Sequence, residues 1–148
     1  MTRFAKLAGS VAIVATMLAP VVASADDKDV IDYRQHLMNT LDHQSGALGM
    51  ILSGVIPDKH MADHIEIISL VASLSPKAFA PHVEGGQSKP EVWSKAADFD
   101  KKMKDFVTGS ANVTKIARDQ GPTEAVNHIL DALPCKGCHD LYRDPSKK

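Results

Sequence analysis

The amino-acid sequence predicts an all-α protein folded as an antiparallel four-helix bundle. Three observations support this fold class. Apolar residues recur every three or four positions in four segments of the chain. No segment alternates apolar and polar residues for long enough to indicate a β-strand. Most links between the four segments are short, which is typical of antiparallel neighbours in a bundle.

Residues 1–25 have the pattern of a secretory signal peptide. A short basic start and a largely apolar run lead to Ala23-Ser24-Ala25, which is followed by Asp26. An uncleaved membrane anchor is the alternative, but the apolar run is shorter than the roughly 20 residues of a spanning helix. We therefore expect cleavage after Ala25 and a soluble periplasmic domain, residues 26–148, that does not span the membrane.

The first two predicted helices occupy the N-terminal half of this domain. The first begins after a cap at Asp26 or Asp27 and ends near Gly54. The second begins around Asp58 and ends at Pro76, because proline disfavours helical backbone in the residue before it.

A connection rich in proline and glycine, residues 76–89, precedes the third helix. Ser88 is a candidate cap for that helix and Pro90 lies in its first turn. We expect Gly109 to weaken the helix locally and Gly121 to end it.

The fourth predicted helix opens at Pro122 and carries apolar residues on one side as far as Leu133. Pro134 follows, and we expect it to kink or loosen the helix at that point.

The two cysteines of the chain lie three residues apart, in Cys135-Lys136-Gly137-Cys138-His139. A disulfide closing so short a loop would constrain little of the unfolded chain. C-x-x-C-H is the attachment pattern of c-type haem. Two thiols at this spacing reach the two vinyl groups on one porphyrin edge, and the next residue brings an imidazole to the iron. We predict one covalently attached haem c, bound through Cys135 and Cys138, with His139 as an iron ligand.

Other uses of these residues have less support. A redox C-x-x-C normally follows a strand at the start of a helix, whereas this pair lies late in a helical chain. No second cysteine pair is present to complete a zinc site.

A second candidate metal site is the pair His60 and His64. These residues have the i, i+4 spacing of zinc ligands, but the sequence indicates no third ligand.

Composition excludes other classes of function. Lys and Arg number 17 against 18 Asp and Glu, and no basic block is present, so we do not expect binding to nucleic acid. The sequence indicates no substrate pocket with an acid, base or nucleophile, so we do not expect an enzyme.

Three blocks of residues, taken in order, resemble one family. They are Tyr33-Arg34-Gln35-His36-Leu37-Met38 with Gly46-Ala47-Leu48-Gly49, then Glu84 to Trp93 with Phe99, then Cys135 to Arg143. Together with the position of C-x-x-C-H near the C-terminus, they resemble the class II c-type cytochromes, that is, cytochrome c′ and its low-spin relatives. Pro134 departs from the pattern of that family.

The resemblance implies roles for individual residues near the haem. Arg34 and Gln35 are expected to hold a haem propionate, and arginine is well suited to carboxylates. Gln87 is expected near the haem edge and Trp93 beside the porphyrin. Arg143, four residues after His139, is expected to return to the proximal face.

Met38 is predicted to be the sixth iron ligand, as in the low-spin members that the sequence resembles. Arg34 and Met38 are four residues apart, so they share one helix face. The alternative is that Met38 only fills the core.

The predicted function is that of a periplasmic one-electron carrier that exchanges electrons with redox partner proteins, with the potential set by the iron ligands and their surroundings. The alternative is a five-coordinate cytochrome c′ that binds nitric oxide or another small gas at an open iron position. A peroxidase-like enzyme has less support, since the sequence shows no distal acid–base group.

Class II relatives commonly dimerise, so the resemblance also implies that a homodimer is possible.

Overall fold

The computed structural model describes residues 25–147. All of the expected signal peptide except Ala25 lies outside the described residues, so its cleavage stays a prediction. Six α-helices are present in the described part: α1 Asp27–Leu52, α2 Met61–Phe79, α3 Glu91–Ser94, α4 Ala96–Asp119, α5 Pro122–Ala132 and α6 Cys135–Tyr142.

The long helices form the predicted four-helix bundle. α2 packs against both α1 and α4, and α4 packs against α5. The short helices α3 and α6 contact each other and α4 at one end of the bundle. The predicted fold class is confirmed. No helix within residues 25–147 is long and apolar enough to cross a membrane.

The start of α1 follows the expected cap. The Asp26 side chain accepts a hydrogen bond from the backbone N–H of Asp29 at 2.8 Å, and the Asp29 side chain accepts one from the backbone N–H of Asp26 at 3.3 Å. This reciprocal arrangement is a capping box, which satisfies backbone donors that have no partner inside the helix. The start predicted from the sequence is therefore confirmed.

The predicted end of the second helix is wrong. After a short 3-10 turn at Asp58–His60, α2 runs through Pro76 to Phe79. Ala72, Ser75 and Ala78 are buried along one face, whereas Pro76 itself is exposed. Burial of that continuous face outweighs the one helical hydrogen bond that proline removes.

The third predicted helix divides into α3 and α4. Lys95 between them has φ −117° and ψ 40°, which is not helical backbone. Gly109 does not interrupt α4; instead it allows α5 to approach. A Cβ at Gly109 would lie 3.0 Å from the Ala132 carbonyl oxygen. The fourth predicted helix divides at Pro134, as expected, into α5 and α6.

Two clusters of buried side chains form the core. The first core cluster joins α1, α2, α4 and α5: Leu48, Ile51, Met61, Ile65, Ile68, Val113, Ala117, Ala125, Ile129 and Ala132. The second core cluster lies at the other end, beside α6: Val92, Phe99, Met103 and Tyr142.

Candidate haem site

A cavity of about 320 Å³ lies between the helices α1, α4 and α6 and the connection that follows α2. Eight of the nine site residues predicted from the sequence line this cavity: Arg34, Gln35, Met38, Gln87, Cys135, Cys138, His139 and Arg143. Residues more than 100 positions apart in the chain are thus brought to one site.

The C-x-x-C-H segment forms the first turn and a half of α6. Both thiols and the His139 imidazole line the cavity from this one short helix. Cys138 and His139 are half-buried. Burial raises the pKa of the Cys138 thiol. Burial, together with the positive charge of Arg143, lowers the pKa of His139, so the neutral imidazole that can ligate iron is favoured.

Arg34 is buried in the cavity wall, with 3 % of its surface exposed. Its Nη2 donates a hydrogen bond to the Val83 carbonyl oxygen at 2.7 Å, while its buried Nη1 has no partner among the described residues. Burial lowers the pKa of the guanidinium from its usual value, but arginine remains charged at neutral pH. A buried cation with an unsatisfied donor fits an anionic group such as a haem propionate.

Gly85 and Gly86 bring the connection close to α1. Both have positive φ, 132° and 54°. A Cβ at Gly85 would lie 2.8 Å from Ile31 Cδ1, and one at Gly86 would lie 3.0 Å from Gln35 Nε2. No larger residue could pass α1 at this distance. Gln35 of α1 and Gln87 of the connection both line the cavity.

Gln87 and Arg143 are hydrogen-bonded to each other. Arg143 Nε donates to Gln87 Oε1 at 2.8 Å, and Gln87 Nε2 donates to the Lys147 carbonyl oxygen at 2.9 Å. The backbone N–H of Asp144 also donates to the Gln87 carbonyl oxygen at 2.8 Å. Gln87 therefore ties the connection to the segment after α6.

Tyr142 is a cavity residue whose partner the sequence does not indicate. Its hydroxyl donates to the Asp98 carboxylate at 2.5 Å, and Lys102 Nζ lies 3.9 Å from the same carboxylate. The hydrogen bond to Asp98, reinforced by burial, raises the pKa of Tyr142 to about 12. Nothing in the sequence signals this pairing between α4 and α6.

Met38 lies on the cavity wall, half-buried, together with His139 from another helix. Asn39 and Asp42 also line the cavity. Asp42 is four residues after Met38, so the helical spacing that placed Met38 on the face of Arg34 could have identified Asp42 as well.

Trp93 is not among the residues that line the cavity. It packs against the second core cluster, and its ring centre lies 5.3 Å from Arg34 Cζ. The His82 ring stacks on the indole with 5.1 Å between ring centres and an interplanar angle of 11°. A place for Trp93 beside the porphyrin stays a prediction.

His60 and His64 have other partners. His60 Nδ1 lies 3.3 Å from Asp63 Oδ2, and His64 Nδ1 lies 2.7 Å from Gln44 Oε1. No group of three or more His, Cys, Asp or Glu side chains is placed to hold a metal ion within residues 25–147.

Comparison with known proteins identifies the family. The family model described as Cytochrome C′ matches residues 29–143. The chain is 30% identical over 125 residues to cytochrome c′ of Alcaligenes xylosoxydans xylosoxydans, covering 80% of this chain and 96% of the relative. It is 28% identical to cytochrome c′ of Rubrivivax gelatinosus, covering 78% of this chain and 95% of that one.

Solved structures agree with the family match. One is a ferrous variant of cytochrome c prime from Alcaligenes xylosoxidans with bound NO, with a TM-score of 0.74, 28% identity, and coverage of 82% of this chain and 98% of that chain. Another is a variant of the same protein with carbon monoxide bound, with a TM-score of 0.73, 29% identity, and coverage of 81% and 98%. The chain therefore belongs to the cytochrome c′ family of class II c-type cytochromes, whose cofactor is one covalently attached haem c.

Proposed function

We propose that this protein binds nitric oxide or carbon monoxide at its haem iron. The single observation that carries the proposal is that the Cys135–His139 turn lines a cavity whose wall is mainly apolar. The apolar wall includes Leu41, Ile68, Met103, Phe106 and Leu133. The polarity and access of the space around a haem iron decide between gas binding and electron transfer, and two variants of one relative, cytochrome c prime from Alcaligenes xylosoxidans, have NO and CO bound.

Each residue of the site would have a separate role in binding the haem and the gas. Cys135 and Cys138 would hold the cofactor covalently, and the neutral His139 imidazole would ligate the iron. Arg34 neutralises a propionate, and the apolar wall excludes water while admitting a small neutral gas. The haem itself supplies the iron that takes up the gas.

Absorption spectra of the purified holoprotein test this function. We expect the ferric and ferrous forms to be high-spin, and we expect the ferrous Soret band to shift on addition of carbon monoxide or nitric oxide. A ferrous spectrum that does not change under saturating carbon monoxide would contradict the proposal.

A one-electron carrier is the second candidate. The observation that favours it is the position of Met38, which lines the same cavity as His139 from a different helix. In this alternative the thioether is the sixth iron ligand, which raises the reduction potential and closes the iron to weak ligands. Electrons would then pass to and from redox partner proteins.

We propose that the protein is not an enzyme. Asp42 is the one acidic side chain on the cavity wall, and it has no hydrogen bond to a histidine among the described residues. A peroxidase needs a group placed to move a proton on bound peroxide. Steady-state assays with hydrogen peroxide and a reducing dye should give no turnover above that of free haem.

We propose that the domain is residues 26–148, released into the periplasm by cleavage after Ala25. The support is the sequence pattern alone. Intact mass of the exported protein, co-expressed with a haem-attachment system, should equal that of a chain beginning at Asp26 plus one haem. A retained N-terminal segment or a missing haem mass would contradict the corresponding part.

We propose a homodimer that pairs the outer face of α2. Ile67, Leu70 and Leu74 are exposed there at helical spacing, with 61% of Leu70 accessible. Light scattering should give twice the monomer mass, and Leu70→Lys should reduce it to the monomer mass. A monomeric wild-type protein would contradict the pairing.

A further inference from the structure

Two buried side-chain atoms within residues 25–147 have no hydrogen-bond partner, and they belong to neighbouring residues. They are Nη1 of Arg34 and Nε1 of Trp93. Buried polar groups in folded proteins are almost always hydrogen-bonded, so an exception in a native structure needs an explanation. Both atoms are donors and neither can accept. Their shared partner must therefore supply acceptor atoms.

The two side chains lie against each other. Arg34 Cζ is 5.3 Å from the Trp93 ring centre. A carboxylate has two oxygens, and each can accept an N–H···O bond of about 2.9 Å, so one anionic group can satisfy a donor from each side chain. A neutral acceptor would satisfy the indole but would leave the guanidinium charge uncompensated.

The groups around these two donors already have partners of their own. The second nitrogen of the guanidinium, Nη2, is already bonded to the Val83 carbonyl oxygen. His82 covers the indole by stacking, and its Nε2 lies 3.4 Å from Glu84. Arg34 lines the haem cavity, and Trp93 packs against the second core cluster, of which all four members also line the cavity.

We propose that Trp93 is a haem-positioning residue whose indole N–H donates to the same haem propionate as Arg34 Nη1. Trp93 then contacts the cofactor through a hydrogen bond to the propionate. A carboxylate held by an arginine and an indole is fixed in orientation as well as neutralised. The inference rests on the haem c of the family and is independent of the choice between gas binding and electron transfer.

Resonance Raman spectra of the ferrous holoprotein test the shared propionate. The propionate bending bands report hydrogen bonding to each carboxylate. Trp93→Phe keeps the aromatic ring and removes the N–H, so one band should move to lower frequency. Arg34→Gln should move the same band. Tyr33→Phe, which alters an exposed hydroxyl on α1, should move neither band.

The reduction potential gives a second readout. Loss of the indole donor leaves more negative charge on the propionate, which favours ferric iron. The midpoint potential of Trp93→Phe should therefore fall below that of wild type and of Tyr33→Phe. Unchanged propionate bands in Trp93→Phe, with an unchanged potential, would overturn the proposal.

A measurement on the wild-type protein covers the case in which Trp93→Phe does not assemble. The chain has a single tryptophan, so its indole proton gives one assignable signal. In the ferrous protein under carbon monoxide, which is diamagnetic with either sixth ligand, this proton should resonate downfield of a free indole. It should also show a nuclear Overhauser effect to propionate methylene protons. A signal at the free-indole position, without that effect, would overturn the proposal.

Discussion

The hydroxyl of Tyr142 donates a hydrogen bond to the Asp98 carboxylate across 2.5 Å. This bond joins α6, which carries Cys135 and His139, to the first turn of α4. The Tyr142 ring also packs edge-on against Phe99, with 5.1 Å between ring centres. One residue thus fixes α6 through both a polar and an apolar contact.

Tyr142→Phe should destabilise the holoprotein by about 1 kcal/mol, since the ring contact with Phe99 remains and only the hydrogen bond is lost. The Asp98 side chain is half exposed, with 53% accessible, so water can solvate the carboxylate afterwards. Urea unfolding followed by circular dichroism measures the difference. Tyr33→Phe is the matched control and should not change stability, because Tyr33 is 48% exposed. Equal losses in both variants would contradict a specific role for the Tyr142 hydroxyl.

The same bond should make stability depend on pH in the alkaline range. The pKa of Tyr142 is raised to about 12 in the folded protein, against about 10 in an unfolded chain. The folded state therefore holds the proton more tightly. The stabilisation is fully present below about pH 10 and is lost as the pH rises through 12. The difference in unfolding free energy between wild type and Tyr142→Phe, measured from pH 8 upward, should shrink across that interval. A difference that stays constant would contradict the raised pKa.

Gly86→Ala should destabilise the protein more than Gly54→Ala. Both glycines have positive φ, 54° and 76°, so each substitution carries backbone strain of about 1 kcal/mol. A Cβ at Gly54 would meet nothing within 4 Å, whereas one at Gly86 would lie 2.9 Å from Ile31 Cγ2. We expect a total loss of about 2 kcal/mol or more for Gly86→Ala. Thermal unfolding of both variants measures the comparison. Equal losses of stability in the two variants would contradict a close contact between α1 and the connection that contains Gly86.

Eight of the nine site residues predicted from the sequence line one cavity, whereas the predicted end of the second helix is wrong and the third predicted helix is divided. Met38 and Arg34 share a face by helical spacing, and the C-x-x-C-H pattern carries its own chemistry, so both were accessible from local information. The continuation of α2 past Pro76 depends on the buried Ala78, which is a tertiary effect that overrides a local rule. The close approach of α5 at Gly109 likewise depends on Ala132.

Contacts between distant segments could not be predicted. Tyr142 pairs with Asp98 across 44 residues, and Arg143 pairs with Gln87 across 56. Nothing in the sequence around an Asp or a Gln residue indicates which distant residue it will bond in the fold. Family resemblance placed Gln87 and Arg143 near the haem, but only the structure joins them to each other.

Replacing both Cys135 and Cys138 by alanine should leave a loosened, partly helical chain. A haem in the cavity would be the largest apolar group of the site, and all four residues of the second core cluster line that cavity. The first core cluster is larger, and only Ile68 of its ten members lines the cavity, so we expect its helices to survive. Hydrogen exchange should show protection near Ile65 and Val113 and little in α3 and α6. Thermal stability equal to that of wild type would contradict the coupling of fold and cofactor.

Substitution of Met38 decides between the two candidate functions. Leucine has nearly the volume and hydrophobicity of methionine, so Met38→Leu should keep the packing of α1 and remove only the thioether. Under the proposed gas binding, Met38 does not hold the iron, and wild type and Met38→Leu should both be high-spin and bind carbon monoxide with similar affinity. Met38→Ala enlarges the cavity and should bind carbon monoxide at least as readily.

If Met38 is instead the sixth ligand, the wild-type protein is low-spin and binds carbon monoxide weakly, whereas both variants become high-spin and bind it readily. Absorption and magnetic circular dichroism spectra of the three proteins distinguish these patterns. A low-spin wild type that becomes high-spin in Met38→Leu would overturn the gas-binding proposal in favour of the electron carrier.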